Sequence, residues 1–82
     1  MSRPGVKWKD VKRCFRRLRF TIYSKGGDKF IQAPEGWHRG NGRRTVRIGH
    51  KCCARDGDEV TRGYLKLLER SFGVTRDEML DA

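Results

Sequence analysis

Acidic side chains are scarce in this chain. Ten Asp and Glu face twenty Lys and Arg, for a formal net charge of +10 at pH 7. Such a field repels cationic partners and attracts polyanions, so nucleic acid is the expected ligand. No apolar run approaches the roughly 20 residues of a membrane span, and the first residues hold no signal-peptide apolar stretch. No membrane association is expected, and a cytoplasmic location is. Cysteine is also sparse: Cys14, Cys52 and Cys53 are an odd number, and the adjacent pair does not bridge without strain. Reduced thiols follow. A zinc site built from Cys52, Cys53 and His50 with Cys14 or His38 lacks any Cys-x-x-Cys spacing, so neither metal nor other cofactor is expected. At 82 residues there is room for one domain, 1–82, which buries about 60% of its unfolded surface. Residues 1–6 read as a flexible lead-in.

Trp8, Val11, Phe15 and Leu18 recur at helical spacing and predict a first helix over Lys7 to Leu18. Its other face carries Lys9, Lys12, Arg13, Arg16 and Arg17, a like-charged ridge that is costly unless an anion neutralises it. From Phe20 the period becomes two, with Phe20 and Ile22 on one face and Thr21 and Tyr23 on the other, which predicts a strand. Gly26-Gly27 then allows a tight reversal, and Lys29 to Ala33 returns as a second strand. Pro34 to Gly42, with Trp37, His38 and Arg39, reads as an exposed flap. Trp37 either stacks on a base or packs over the sheet edge. A third strand is expected over Arg43 to Gly49, with Val46 and Ile48 inward and Thr45 and Arg47 outward.

Tyr64, Leu68 and Phe72, with Leu65 and Leu67, predict a second helix from Val60 to Phe72, capped by Gly73. Asp56, Asp58 and Glu59 read as its N-terminal cap and first-turn charges. Arg62, Lys66 and Arg70 form a second basic ridge on that helix. Thr75-Arg76-Asp77-Glu78 has the form of a capping box, so a short last helix should hold Met79 and Leu80 against the body. The expected fold is α+β, in the order α-β-β-β-α, with two helices on one face of a three-stranded antiparallel sheet and a helical turn after them.

This order with a basic surface resembles the double-stranded-RNA-binding-domain fold. The residues also resemble the HicA toxin family across nearly the whole chain. The stretches concerned are Leu18-Arg19-Phe20, Gly26-Gly27-Asp28-Lys29-Phe30, Val46-Arg47-Ile48-Gly49-His50, Gly63-Tyr64-Leu65-Lys66-Leu67-Leu68, and Gly73-Val74-Thr75-Arg76-Asp77-Glu78-Met79. The resemblance implies an mRNA-cleaving endoribonuclease countered by a HicB-like antitoxin protein, with the catalytic histidine of a Gly-Ser-His turn. Asp28 stands at that position here, or Lys29 if the gap is placed differently, so the resemblance implies a weakened or absent activity.

Metal-free RNA cleavage uses the neighbouring 2′-hydroxyl as nucleophile and needs proton transfer near neutral pH. Imidazole, with an ordinary pKa of about 6.5, suits that task. A carboxylate at about 3.9 does not, and it repels phosphate. Candidate acid-base residues are therefore Asp28, by position, and the two histidines His50 and His38. Candidate nucleic-acid ligands are Lys9, Arg13, Arg16, Arg17, Lys25, Lys29, Arg43, Arg44, Arg47 and Lys51. The alternatives are a non-enzymatic module binding duplex RNA or DNA, and a basic domain docking an acidic protein.

Overall fold

The computed structural model describes residues 5–81. Their order is α1 (Trp8–Arg17), β1 (Thr21–Lys25), β2 (Asp28–Gln32), β3 (Thr45–Ile48), α2 (Arg62–Phe72) and α3 (Arg76–Asp81). The strands form one antiparallel sheet in the order β1-β2-β3. The α+β class and the α-β-β-β-α order with a short terminal helix are those read from the pattern.

The apolar spacing of α1 buries Trp8, Val11, Cys14 and Phe15. Its first free N–H groups, on Trp8 and Lys9, donate to the carbonyls of Asp58 and Asp56 at 2.9 and 3.1 Å. At the other end Arg19 takes a left-handed φ of 69°. The Phe20 and Arg19 N–H groups then donate back to the Phe15 and Arg16 carbonyls at 2.9 and 3.0 Å. That pair is a Schellman closure made without glycine, and it turns the chain straight into β1.

Gly26 and Gly27 both have positive φ, 60° and 87°, the conformation of a two-residue hairpin turn whose twist suits the flanking strands. The turn fixes the register: Tyr23 pairs with Phe30 and Lys25 with Asp28. β3 adds Arg47 opposite Phe30 and Val46 opposite Ile31. Ile31, Val46 and Ile48 are fully buried beneath the helices with Phe15, Leu68, Phe72 and Met79. Thr21, Tyr23, Lys25 and Arg47 stay exposed on the uncovered face.

Five expectations are corrected. Residues 1–4 of the lead-in lie outside the described residues, but Val6 is wholly buried and its carbonyl accepts from the Val60 N–H at 2.8 Å. That bond ties Val60 to the lead-in, Thr61 is the extended N-cap, and α2 starts at Arg62 with no acid in its first turn. Asp56, Asp58 and Glu59 therefore do not cap α2. Asp56 instead pairs with Lys12 at 2.6 Å, and Asp58 accepts from the Arg55 N–H. The third strand is shorter than Arg43–Gly49. The segment Pro34–Gly42 is not a free flap: Trp37 is half-buried, its indole N–H donates to the Phe72 carbonyl at 3.0 Å, and Arg39 pairs with Glu78. Partial burial opposes that carboxylate less than Arg39 favours it, and the Arg39 hydrogen bond holds Glu78 below the ordinary carboxylate range.

Gly40 is where the segment meets α2. A Cβ added there would lie 2.2 Å from the Ser71 carbonyl oxygen, and its φ is 82°. Gly40→Ala combines a left-handed cost of about 1–2 kcal/mol with overpacking of about 1–3 kcal/mol. Its thermal midpoint should fall by at least about 8 °C, and a melt within 2 °C of the parent would refute the close approach. The expected capping box is present: the Glu78 N–H donates to Thr75 Oγ1 at 3.2 Å.

Candidate functional site at the turn end of the sheet

β2 begins and β3 ends at the same end of the sheet, because Lys29 pairs with Ile48. This brings Asp28 and His50 together across twenty-two residues of sequence. The His50 backbone N–H donates to Asp28 Oδ1 at 3.0 Å, and His50 Nδ1 lies 3.4 Å from the same oxygen. The other carboxylate oxygen is 3.3 Å from Arg47 Nε. The Gly26-Gly27 turn closes the corner, its second glycine lying beside the His50 Cβ.

Partial desolvation acts to raise the Asp28 pKa. The His50 backbone N–H, the imidazole and the Arg47 guanidinium outweigh it and hold the carboxyl below its ordinary value. Asp28 is thus an ionised anchor with its charge compensated. The side chain of His50 is 65% exposed and that of Asp28 only 19%. With Nδ1 turned to the carboxylate, Nε2 is the ring nitrogen that a ligand can reach.

The other candidates separate into three groups. Lys9, Arg13, Arg16 and Arg17 are exposed on α1, where Lys12 and Asp56 join them around one open groove. Arg13 is paired with Asp10 at 2.9 Å. Lys25, Arg47 and Lys51 are exposed around the turn end, and Arg43 and Arg44 at the opposite end of β3. Lys29 differs from both sets. It points under the sheet, donating to the Cys52 carbonyl at 3.1 Å and lying over the Trp8 ring at 5.7 Å, so it tethers the loop after β3 to the start of α1. The same contact places the first turn of α1 at the Asp28–His50 end.

His38 is not part of this site. It lies on the segment leaving β2 at the far end of the sheet, with Nδ1 3.1 Å from the Gly36 carbonyl. Trp37 packs inward, edge-on to Phe20 with centroids 4.7 Å apart, and is not free to stack on a base. On α2, Arg62 and Lys66 line one depression and Arg70 lines another with Lys66. Both are separate from the α1 groove.

The cysteines do not assemble into a metal centre. Cys52 and Cys53 are buried with sulfurs 3.0 Å apart, and burial and the Cys52 thiol push the Cys53 thiol up to about 12. Burial, and then Glu78, raises the Cys14 pKa also. Neutral thiols are poor ligands and nucleophiles. Among the described residues no three His, Cys, Asp or Glu side chains are placed to share an ion, and no helix is long and apolar enough to cross a membrane.

Two residues went unmarked as ligands in the sequence. Tyr23 and Phe30 stack on the open face with centroids 5.1 Å apart and ring planes 11° apart. The alternation that puts Tyr23 outward, combined with the two-residue turn, is the signal that would have paired them. Comparison of the chain with family models, with curated proteins and with solved structures finds no match.

Proposed function

We propose that the protein is a HicA-like RNA-binding protein and a slow, metal-independent endoribonuclease, with His50 supplying the proton chemistry that Asp28 cannot. The observation that carries this reading is the Asp28 carboxylate set against His50 beside Arg47. His50 Nε2 accepts the 2′-hydroxyl proton as O2′ attacks phosphorus. The P–O5′ bond then breaks, the 5′-oxygen takes a proton from solvent, and a 2′,3′-cyclic phosphate remains. Asp28 orients the ring and offsets the positive charge it acquires, the role a carboxylate plays behind a catalytic imidazole. Arg47 cancels the carboxylate charge that would repel the substrate and stands next to the charge developing on the phosphorane oxygens.

The test is incubation with RNA in the presence of a chelator. Products ending in 2′,3′-cyclic phosphate and 5′-hydroxyl support the reading, whereas intact RNA or 3′-hydroxyl ends refute it. If the toxin resemblance extends to partners, an acidic antitoxin protein would cover this basic surface.

The α1 ridge favours a binding role alongside cleavage. Among the described residues Lys9, Arg16 and Arg17 have no acid within ion-pair distance. Replacing Arg16 and Arg17 by Gln should weaken RNA binding and lower the slope of log affinity against log salt by about 0.7–0.9 per lost phosphate contact. An unchanged slope would remove this ridge from the interface.

A further inference from the structure

The uncovered face of the sheet carries a feature that proton transfer does not use. Tyr23 and Phe30 lie ring on ring there, and among the described residues Tyr23 is the large apolar side chain that stays exposed, at 37%. Arg47 completes the row across the three strands, opposite Phe30 in the register. Asp28, the acid of that face, is already occupied by Arg47 and His50. An exposed Tyr23 backed by a half-buried Phe30 on the open face of the sheet, beside cations and a carboxylate that is already compensated, is complementary to a ligand with flat π faces and negative charge.

We propose that this face binds unpaired RNA, with a base stacked on the Tyr23–Phe30 pair and the adjoining phosphate held by Arg47. A-form duplex hides the faces of its bases and offers only backbone and groove edges. A stacking platform is of no use to a duplex and is how single strands are held without sequence readout. The proposal rests on the cleavage reading only for what it adds to it: the row adjoins His50, so the bound strand passes the imidazole, and the substrate of that site is single-stranded.

Binding is measured with a fluorescently labelled, fully 2′-O-methylated single strand, which has no 2′-hydroxyl nucleophile and cannot be cleaved. Tyr23→Ala should weaken its binding by about 5- to 100-fold, and Tyr23→Phe should retain it. A duplex of the same sequence should bind the parent and Tyr23→Ala equally. Tyr23→Phe keeps the stack and should keep the parent's melting temperature, whereas Tyr23→Ala gives up a ring contact and should melt a few degrees lower. Binding is therefore measured well below both midpoints, and unchanged duplex binding separates lost stacking from lost fold. Equal single-strand affinity for the parent and Tyr23→Ala would overturn the proposal, as would a parallel loss of duplex binding. So would a dimer of the parent that Tyr23→Ala dissolves, since the face would then belong to a second copy of the chain. His38→Ala, at the far end of the sheet, should bind the methylated strand as the parent does. A platform that fails while native RNA is still cleaved, or the reverse, tells the two readings apart.

Discussion

His50→Ala should cleave RNA about 100- to 10,000-fold more slowly than the parent, the range a positioned general base contributes. Its affinity for uncleavable RNA should be unchanged. The imidazole is exposed and its ring contacts one carboxylate, so removing it leaves the core intact. The backbone N–H that anchors Asp28 survives the substitution as well. Loss of rate without loss of fold or affinity therefore isolates the proton-transfer role. Parent-like cleavage by His50→Ala would sink the mechanism, and His38→Ala, at the far end of the sheet, serves as the control that should cleave normally.

Asp28→Asn completes the test of the pair. An amide oxygen can still accept from the His50 backbone N–H, so the turn should hold while the charge behind the imidazole disappears. As a positioning residue, Asp28 should alter kcat rather than KM: a fall in kcat of up to about 10,000-fold is expected, with KM unchanged or lower because a negative charge near the phosphate is gone. A rise in KM at constant kcat would mean that Asp28 serves substrate binding. The pH dependence has a definite sign. Because the folded-state pKa of Asp28 is depressed, its contribution to stability is complete above the unfolded value of about 3.9 and is lost as pH falls through the folded one. The parent should therefore lose stability in acid more steeply than Asp28→Asn, measured by melting at pH 3 and pH 6.

Much of this was legible in the chain because the relevant physics is local. Gly26-Gly27 between alternating segments determines a hairpin and its register. Tyr64, Leu68 and Phe72 determine a buried helix face, and Thr75 with Glu78 a helix start. What was illegible depends on residues remote in sequence. The acidic run Asp56 to Glu59 looks like a cap for the helix that follows it, but Val60 is bonded to Val6 and the run faces α1 instead. The Pro34–Gly42 segment has the composition of a solvent loop, and only the end of α2 reveals why Trp37 and Gly40 are there. Asp28 taken alone reads as a turn former without catalytic capacity. Its proximity to His50 is set by the pairing of β2 with β3 across a long connection, which no spacing rule in one sequence can supply. The direction of Lys29 was illegible for the same reason: the register turns it under the sheet, toward Cys52 and Trp8.

Phe72→Ala should be the most destabilising single change among the aromatic residues. Phe72 is fully buried and its ring meets Phe20 and Phe15 edge-on, with centroids 4.9 and 5.8 Å apart. Phe20 in turn meets Trp37, so one ring joins α1, the start of β1, α2 and the docked segment. Removing a buried Phe costs about 3–5 kcal/mol. A domain of this size has about 4–12 kcal/mol in all, so the variant should lose at least about 12 °C in melting temperature and stand near unfolding at 37 °C. Phe72→Leu keeps most of the volume and gives up the edge-on contacts, for a loss of about 1–1.5 kcal/mol. Melts followed by far-ultraviolet circular dichroism and by tryptophan fluorescence should coincide in the parent. In Phe72→Leu the fluorescence transition should come first, because Trp37 leaves its contact before the helices unfold. If Phe72→Ala melted within 4 °C of the parent, the aromatic cluster would not be what joins the helix layer to the sheet.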